Sequence, residues 1–107
     1  MGMSIGSVRS IIGTAWDAEN ITPGDVATGI TAALLVDSVA ALIQVTDQTA
    51  HISFDGVAPT AAAGTNIGHE YTAGQTLTVF GAKNLSNFRC IDAVSGSASI
   101  VKVTVYK

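Results

Sequence analysis

Hydrophobic and polar positions alternate along several short stretches of the chain, most regularly at its C-terminal end. Between Ser97 and Tyr106, Val101, Val103 and Val105 alternate with Lys102, Thr104 and Tyr106. Period-two alternation in β-branched residues predicts a strand with one buried face. Thr76–Phe80 repeats the pattern, with Leu77 and Val79 on one face and Thr76 and Thr78 on the other. In Ala50–Phe54 the pattern places Ile52 and Phe54 inward and His51 and Ser53 outward. Phe88, Cys90 and Val94 share a further face, opposite Asn87 and Arg89. The expected core is therefore Ile52, Phe54, Leu77, Val79, Phe88, Val101, Val103 and Val105.

Turn residues punctuate these stretches: Asp55-Gly56, Ala58-Pro59, Gly64 to Gly68, Ala73-Gly74 and Ser95-Gly96-Ser97. Short strands at such spacing predict an all-β fold, a jelly-roll-like antiparallel β-sandwich of about seven to eight strands, with helix confined to a turn or two. The first half is less regular. Ser7–Ile12 reads as a strand and Trp16–Asp25 as a loop. The run from Ile30 to Val45 suits two descriptions. Its Ala and Leu content fits a helix, with Asp37-Ser38 as a cap. Alternatively it holds two strands, Ile30–Val36 and Val39–Thr46, turning near Asp37-Ser38, the second with Val39, Ala41, Ile43 and Val45 on one face. The all-β surroundings favour the strands.

At 107 residues the chain has room for one domain and one core, 1–107, in which residues 1–25 could serve as an extended arm. Charged residues are 12% of the chain, against about 25% in a typical soluble domain. Ala, Gly, Ser and Thr fill the gap, and such a surface costs little to desolvate against another subunit. The net charge of −3 is unevenly spread: before residue 81 seven acids face Arg9 alone, whereas Lys83, Arg89, Lys102 and Lys107 face Asp92. Scattered bases without a basic run give no footprint for nucleic acid. The most apolar stretch, interrupted by Asp37 and Gln44, is shorter than the ~20 residues a membrane span needs. Met1-Gly2-Met3-Ser4 lacks the pattern of a secretory signal, so the sequons at Asn20 and Asn84 are expected to be idle.

Candidate chemistry is sparse, and neither catalytic residues, metal ligands nor a cofactor site are expected. His51 and His69 are the only histidines. His69 and Glu70 are adjacent, so on a strand they point to opposite faces and cannot converge on one ligand. Both histidines read as loop or surface residues. Cys90, the lone cysteine, reads as buried and inert, because Arg89 falls on the opposite face and cannot lower its pKa. Asp17, Asp25, Asp47, Asp55 and Asp92 sit in or near turns, where Asp bonds local backbone N–H groups. Of the aromatics, Trp16 alone falls in an expected loop, where it could stack on a sugar.

The stretch from His51 to Ile91 resembles a group of small tailed-bacteriophage proteins. The resemblance rests on His51-Ile52-Ser53-Phe54-Asp55-Gly56, Ala58-Pro59-Thr60, Gly64, Ala73-Gly74, Leu77, Gly81 and Asn87-Phe88-Arg89. Val103–Tyr106 matches the group's closing strand. It covers roughly half the chain. The resemblance implies a non-enzymatic virion component, a head decoration protein or a small head–tail or tail part, made in the bacterial host cytoplasm. It implies partners among virion proteins such as the major capsid protein; the low charge content points further to a homo-oligomer, with a trimer slightly preferred. The competing class is a β-sandwich binding module for a carbohydrate or peptide.

Overall fold

The computed structural model describes residues 14–61 and 68–107. The strand expected at Ser7–Ile12, and most of the Gly64–Gly68 turn, lie outside the described residues. Strands β1 (Ala15–Ile21), β2 (Ala40–Thr46), β3 (Ala50–Ser53), β4 (His69–Tyr71), β5 (Thr76–Phe80), β6 (Arg89–Asp92) and β7 (Ile100–Tyr106) form two antiparallel sheets. One is four-stranded, in the order β1-β7-β2-β5; the other is three-stranded, β4-β3-β6. Two short helices, α1 (Ala32–Leu35) and α2 (Ala82–Asn87), complete the described residues. The chain is an all-β sandwich.

The alternation read from the sequence sets the faces. Val101, Val103 and Val105 of β7 and Ala41, Ile43 and Val45 of β2 are buried and in register, Val103 beside Ile43 and Val105 beside Ala41. Ile52, Cys90 and Phe88 pack against them from the second sheet, and Ile21, Leu34, Val79 and Leu85 close the same cluster. Leu77 and Phe54 are only partly buried at its margin, where the Phe54 ring lies 6.1 Å from that of Phe88.

Several expectations are corrected. Residues 16–21 of the expected loop belong to β1, which is paired with β7 from Ala15–Tyr106 to Ile21–Val101. A polar strand is stable here because it is an edge: Asp17 and Asn20 are exposed while Ile21 is buried. This part of the expected arm therefore belongs to the domain's own sheet. Of the two strands expected between 30 and 46, only the second forms. Ala32–Leu35 makes one helical turn that buries Leu34, and Asp37 at φ 61° reverses the chain into β2. Val39 is half-exposed rather than inward. Val94 lies beyond the end of β6 and is exposed, so it does not share the Phe88–Cys90 face.

Polar ties join the elements. Asp92 is buried, and its carboxylate accepts bonds from Ala98 N (3.1 Å), Ser99 N (2.9 Å) and Ser99 Oγ (2.5 Å). It thereby fixes the connection from β6 to β7 across the two sheets. Glu19 reaches from β1 to Thr31, accepting from its N–H and its hydroxyl, both at 2.7 Å, where α1 begins. Gly68 has φ +78°, and a Cβ there would lie 2.7 Å from the Ile52 carbonyl, so no other residue fits without displacing β3.

Phe88, fully buried, should cost about 3–5 kcal/mol when truncated to Ala, whereas partly buried Phe54 should cost clearly less. Urea unfolding of the two variants checks the order; equal midpoints for Phe88→Ala and the parent would contradict the packing. Asp92→Asn should destabilise by about 1–3 kcal/mol, because a buried acceptor of charge-assisted bonds is weakened. The same titration measures it.

Candidate functional site

His51 occupies the centre of the three-stranded sheet and is 1% exposed, not a surface residue as its sequence position suggests. Ser53, also expected outward, is buried too. Their face of the sheet is covered by the segment following β3, in which Pro59 is buried. His51 Nδ1 lies 2.8 Å from the Thr60 carbonyl, and Nε2 lies 3.6 Å from Glu70 Oε1 on β4. His51 and Glu70 are direct cross-strand neighbours, so the pairing that adjacency denied to His69 and Glu70 exists between strands. Both ring nitrogens face acceptors, Nδ1 within hydrogen-bond distance and Nε2 at the longer range of an ion-pair contact. Ser53 shares this face, but its hydroxyl donates to the Val57 carbonyl at 2.6 Å and not to the imidazole.

Cys90 pairs with Ile52 and is buried on the core face, whereas His51 lies on the opposite one. The two do not form a dyad. Burial, then the nearby charges of Asp92 and Glu19, push the Cys90 thiol up to about 12 from its ordinary 9.0. Its hydrogen points at the Thr28 carbonyl, 3.4 Å away. Arg89 is turned to backbone, donating from Nη1 to the carbonyls of Phe88 and Ser86. The acids behave largely as turn residues do. Asp55 accepts from Val57 N, and Asp25 from Ser95 Oγ and Gly96 N. Among the described residues no group of three or more His, Cys, Asp or Glu could hold a metal ion.

Trp16 is on β1 and not in a loop. Its Nε1 donates to Ser38 Oγ at 3.0 Å, and Lys107 Nζ sits 4.0 Å above its ring. Its polar edge and one face are thereby occupied, which leaves little of a stacking platform for a sugar.

The larger feature is the outer face of the four-stranded sheet. Register aligns it into rows: Ala15, Tyr106, Ala40 and Phe80; then Ala18, Thr104, Leu42 and Thr78; then Asn20, Lys102, Gln44 and Thr76. Phe80 and Leu42 are 48% and 41% exposed, and half-exposed Val39 continues the patch beyond β2. Lys102 is the one charged side chain in these rows. Sequence parity already placed Thr76, Thr78 and Thr104 outward. It also assigns Phe80 to the outer face, but an aromatic at a strand end carries no signal of exposure.

Beside this face, the β5 side of the sandwich opens into a groove lined by Phe54, Tyr71, Leu77 and Phe80. No protein-family model, curated protein or solved structure matches this chain.

At pH 8 the native thiol of Cys90 should resist a thiol reagent that modifies it rapidly after unfolding in urea. The folded value lies above the ordinary one, so deprotonation of the unfolded chain should erode stability as pH rises from about 9 towards about 12. Cys90→Ala should flatten that alkaline slope; an unchanged slope would remove the thiol as its cause.

Proposed function

We propose that the chain is a non-enzymatic structural protein of a tailed-bacteriophage particle. It serves as a capsid decoration protein or as a small head–tail or tail component, and acts through protein–protein contacts with virion proteins such as the major capsid protein. The observation that carries this reading is the outer face of the four-stranded sheet. Its exposed Leu42 and Phe80, set among Ala and Thr with Lys102 as the sole charge in the rows, cost little to desolvate. A stable contact buries about 1,000 Å² or more in total. The resemblance of His51 to Ile91 to small tailed-phage proteins gives the particle as the partner. Localisation in the virion and the absence of nucleic-acid and membrane partners belong to the same reading. A sugar-binding module is the less supported alternative, because Trp16 is engaged by Ser38 and Lys107.

Sedimentation with phage heads assembled from a genome that lacks this gene tests the reading. The added protein should pellet with the heads in a saturable amount, and Leu42→Glu should abolish pelleting. As an exposed substitution, Leu42→Glu should leave stability within about 0.5 kcal/mol of the parent. Protein that stays in the supernatant at micromolar concentration, or that instead binds defined glycans, would overturn it.

A further inference from the structure

The two sheets expose their edges unequally. β1 carries Asp17 and Glu19 and a register shift between Ala15 and Asp17, all of which discourage another strand from pairing. The outer side of β6 is covered: Thr28 exchanges backbone bonds of 2.9 Å with Cys90 in both directions, and Asp92 N donates to the Gly24 carbonyl. β4 has three residues, with His69 and Glu70 exposed among them. β5 has none of these guards. It reads Thr76-Leu77-Thr78-Val79-Phe80, with no charge, proline or bulge, and it ends the four-stranded sheet.

The hydrogen-bond parity shows what the edge offers. Val45 N donates to the Gln75 carbonyl and Gly81 N to the Val39 carbonyl, so the odd-numbered residues of this segment bond towards β2. The amides of Thr76, Thr78 and Phe80 therefore point away from the sheet, and no described residue forms a strand on that side. Asn84 Nδ2 donates to the Phe80 carbonyl at 2.8 Å and marks the end of the free edge. A groove lined by Phe54, Tyr71, Leu77 and Phe80, with Thr78 and Asn84 among them, runs beside it. A free row of backbone donors and acceptors beside apolar side-chain pockets is the recognition pattern of strand addition.

We propose that the occupant is β5 of a second copy of this chain, joined antiparallel about a twofold axis at Thr78. In that register Thr78 exchanges both backbone bonds with its copy, the Phe80 amide meets the Thr76 carbonyl across the axis, and the Thr76 amide meets a Phe80 carbonyl that also accepts from Asn84 Nδ2. Every outward donor then meets an acceptor, and the sheet becomes continuous through two molecules. The strand is its own complement because it is uncharged: like strands meet with Thr opposite Thr and Phe opposite Thr, and no like charges collide. The strand pair, together with Phe80 and the groove, supplies the contact, for which a stable dimer needs about 1,000 Å² in total. A twofold contact closes on two copies, so the dimer replaces the trimer expected from the sequence as the unit. This inference rests on the homo-oligomer expected from the sequence and not on docking to a particle.

Light scattering coupled to size exclusion on the intact chain tests it. The parent should elute at twice 10.8 kDa or an even multiple of it. Thr78→Lys should be a monomer with the parent's circular dichroism, since it sets like charges directly opposite one another. Thr78→Glu should behave in the same way, and an equimolar mixture of the two should restore the dimer, because residue 78 meets only its own counterpart. Thr78→Pro, which removes an outward N–H and nothing bonded to β2, should also be monomeric. An oligomer that survives both charged variants would overturn the edge pairing while leaving self-association standing. Monomeric variants that fail to pair on mixing would overturn the register. A parent that is monomeric at micromolar concentration would remove self-association itself, and the pelleting of that monomer with phage heads would show whether docking stands without it.

Discussion

The fold depends on the register of β7. This strand is paired on both sides, with β1 and with β2, and its Val101, Val103 and Val105 are buried along the inner face. Side chains on a strand alternate with period two, so a slip of one residue would exchange the whole set. Lys102 and Thr104 would enter the core, and the valines would face solvent. At about 1.5–3 kcal/mol for each large apolar side chain returned to water, such a slip approaches the whole stability of a small domain. The irregularity at Ala15–Asp17 is confined to β1, the outermost neighbour, where it leaves the valine face in place.

A core that small also needs its connections held, and buried polar groups do this. Asp92 spends its carboxylate on the 98–99 backbone and on Ser99 Oγ, and so sets where β7 begins relative to β6. Ser38 Oγ donates to the Leu34 carbonyl at 2.5 Å and accepts from Trp16 Nε1, tying the end of α1 to β1. Each tie links elements that the strand ladders do not join. Asp17, Asp25, Asp55 and Asp92 thus bond backbone N–H groups, as expected of acids in or near turns. Their partners lie from one to more than seventy residues away, and only the local ones could be anticipated.

What could be read from the chain followed from burial on one face alone. β5 and β7 each have one buried face, and their alternation is legible; β2 lies in the run that suits both helix and strand, and its Ala40 is buried beside Ala41. β3 was found as a strand, but its burial pattern is continuous, because the 55–61 segment covers the second face. Nothing in Ala50-His51-Ile52-Ser53 announces a cover supplied from elsewhere, so His51 looked like a surface residue. β1 failed for the opposite reason. An edge strand that carries Asp17, Glu19 and Asn20 has the composition of a loop, and only its pairing with β7 makes it a strand. Ala32–Leu35 lies in the Ile30–Val45 run that suits both helix and strand, and its four helical residues are too few for periodicity to separate the two. The cross-strand contact of His51 with Glu70 required the β3–β4 register, which no spacing along the chain encodes.

The low charge of the chain acquires a location once the strands are placed. Position 78 on β5 is exposed, and its side chain takes no part in the core. A lysine there would cost an isolated domain little, and it would guard an open sheet edge in the usual way. The same holds at Leu42, whose outer-face neighbours in register are Thr78 and Thr104. Among the described residues charge is instead carried by β1, β4, β6, α2 and the loops, β5 carries none, and Lys102 is the one charge in the rows of the adjoining sheet face. The monomer's packing does not require that distribution, because these outward side chains contribute nothing to the buried cluster. Burial of the same side chains against other subunits does require it, since each charge left there would have to be desolvated without a partner.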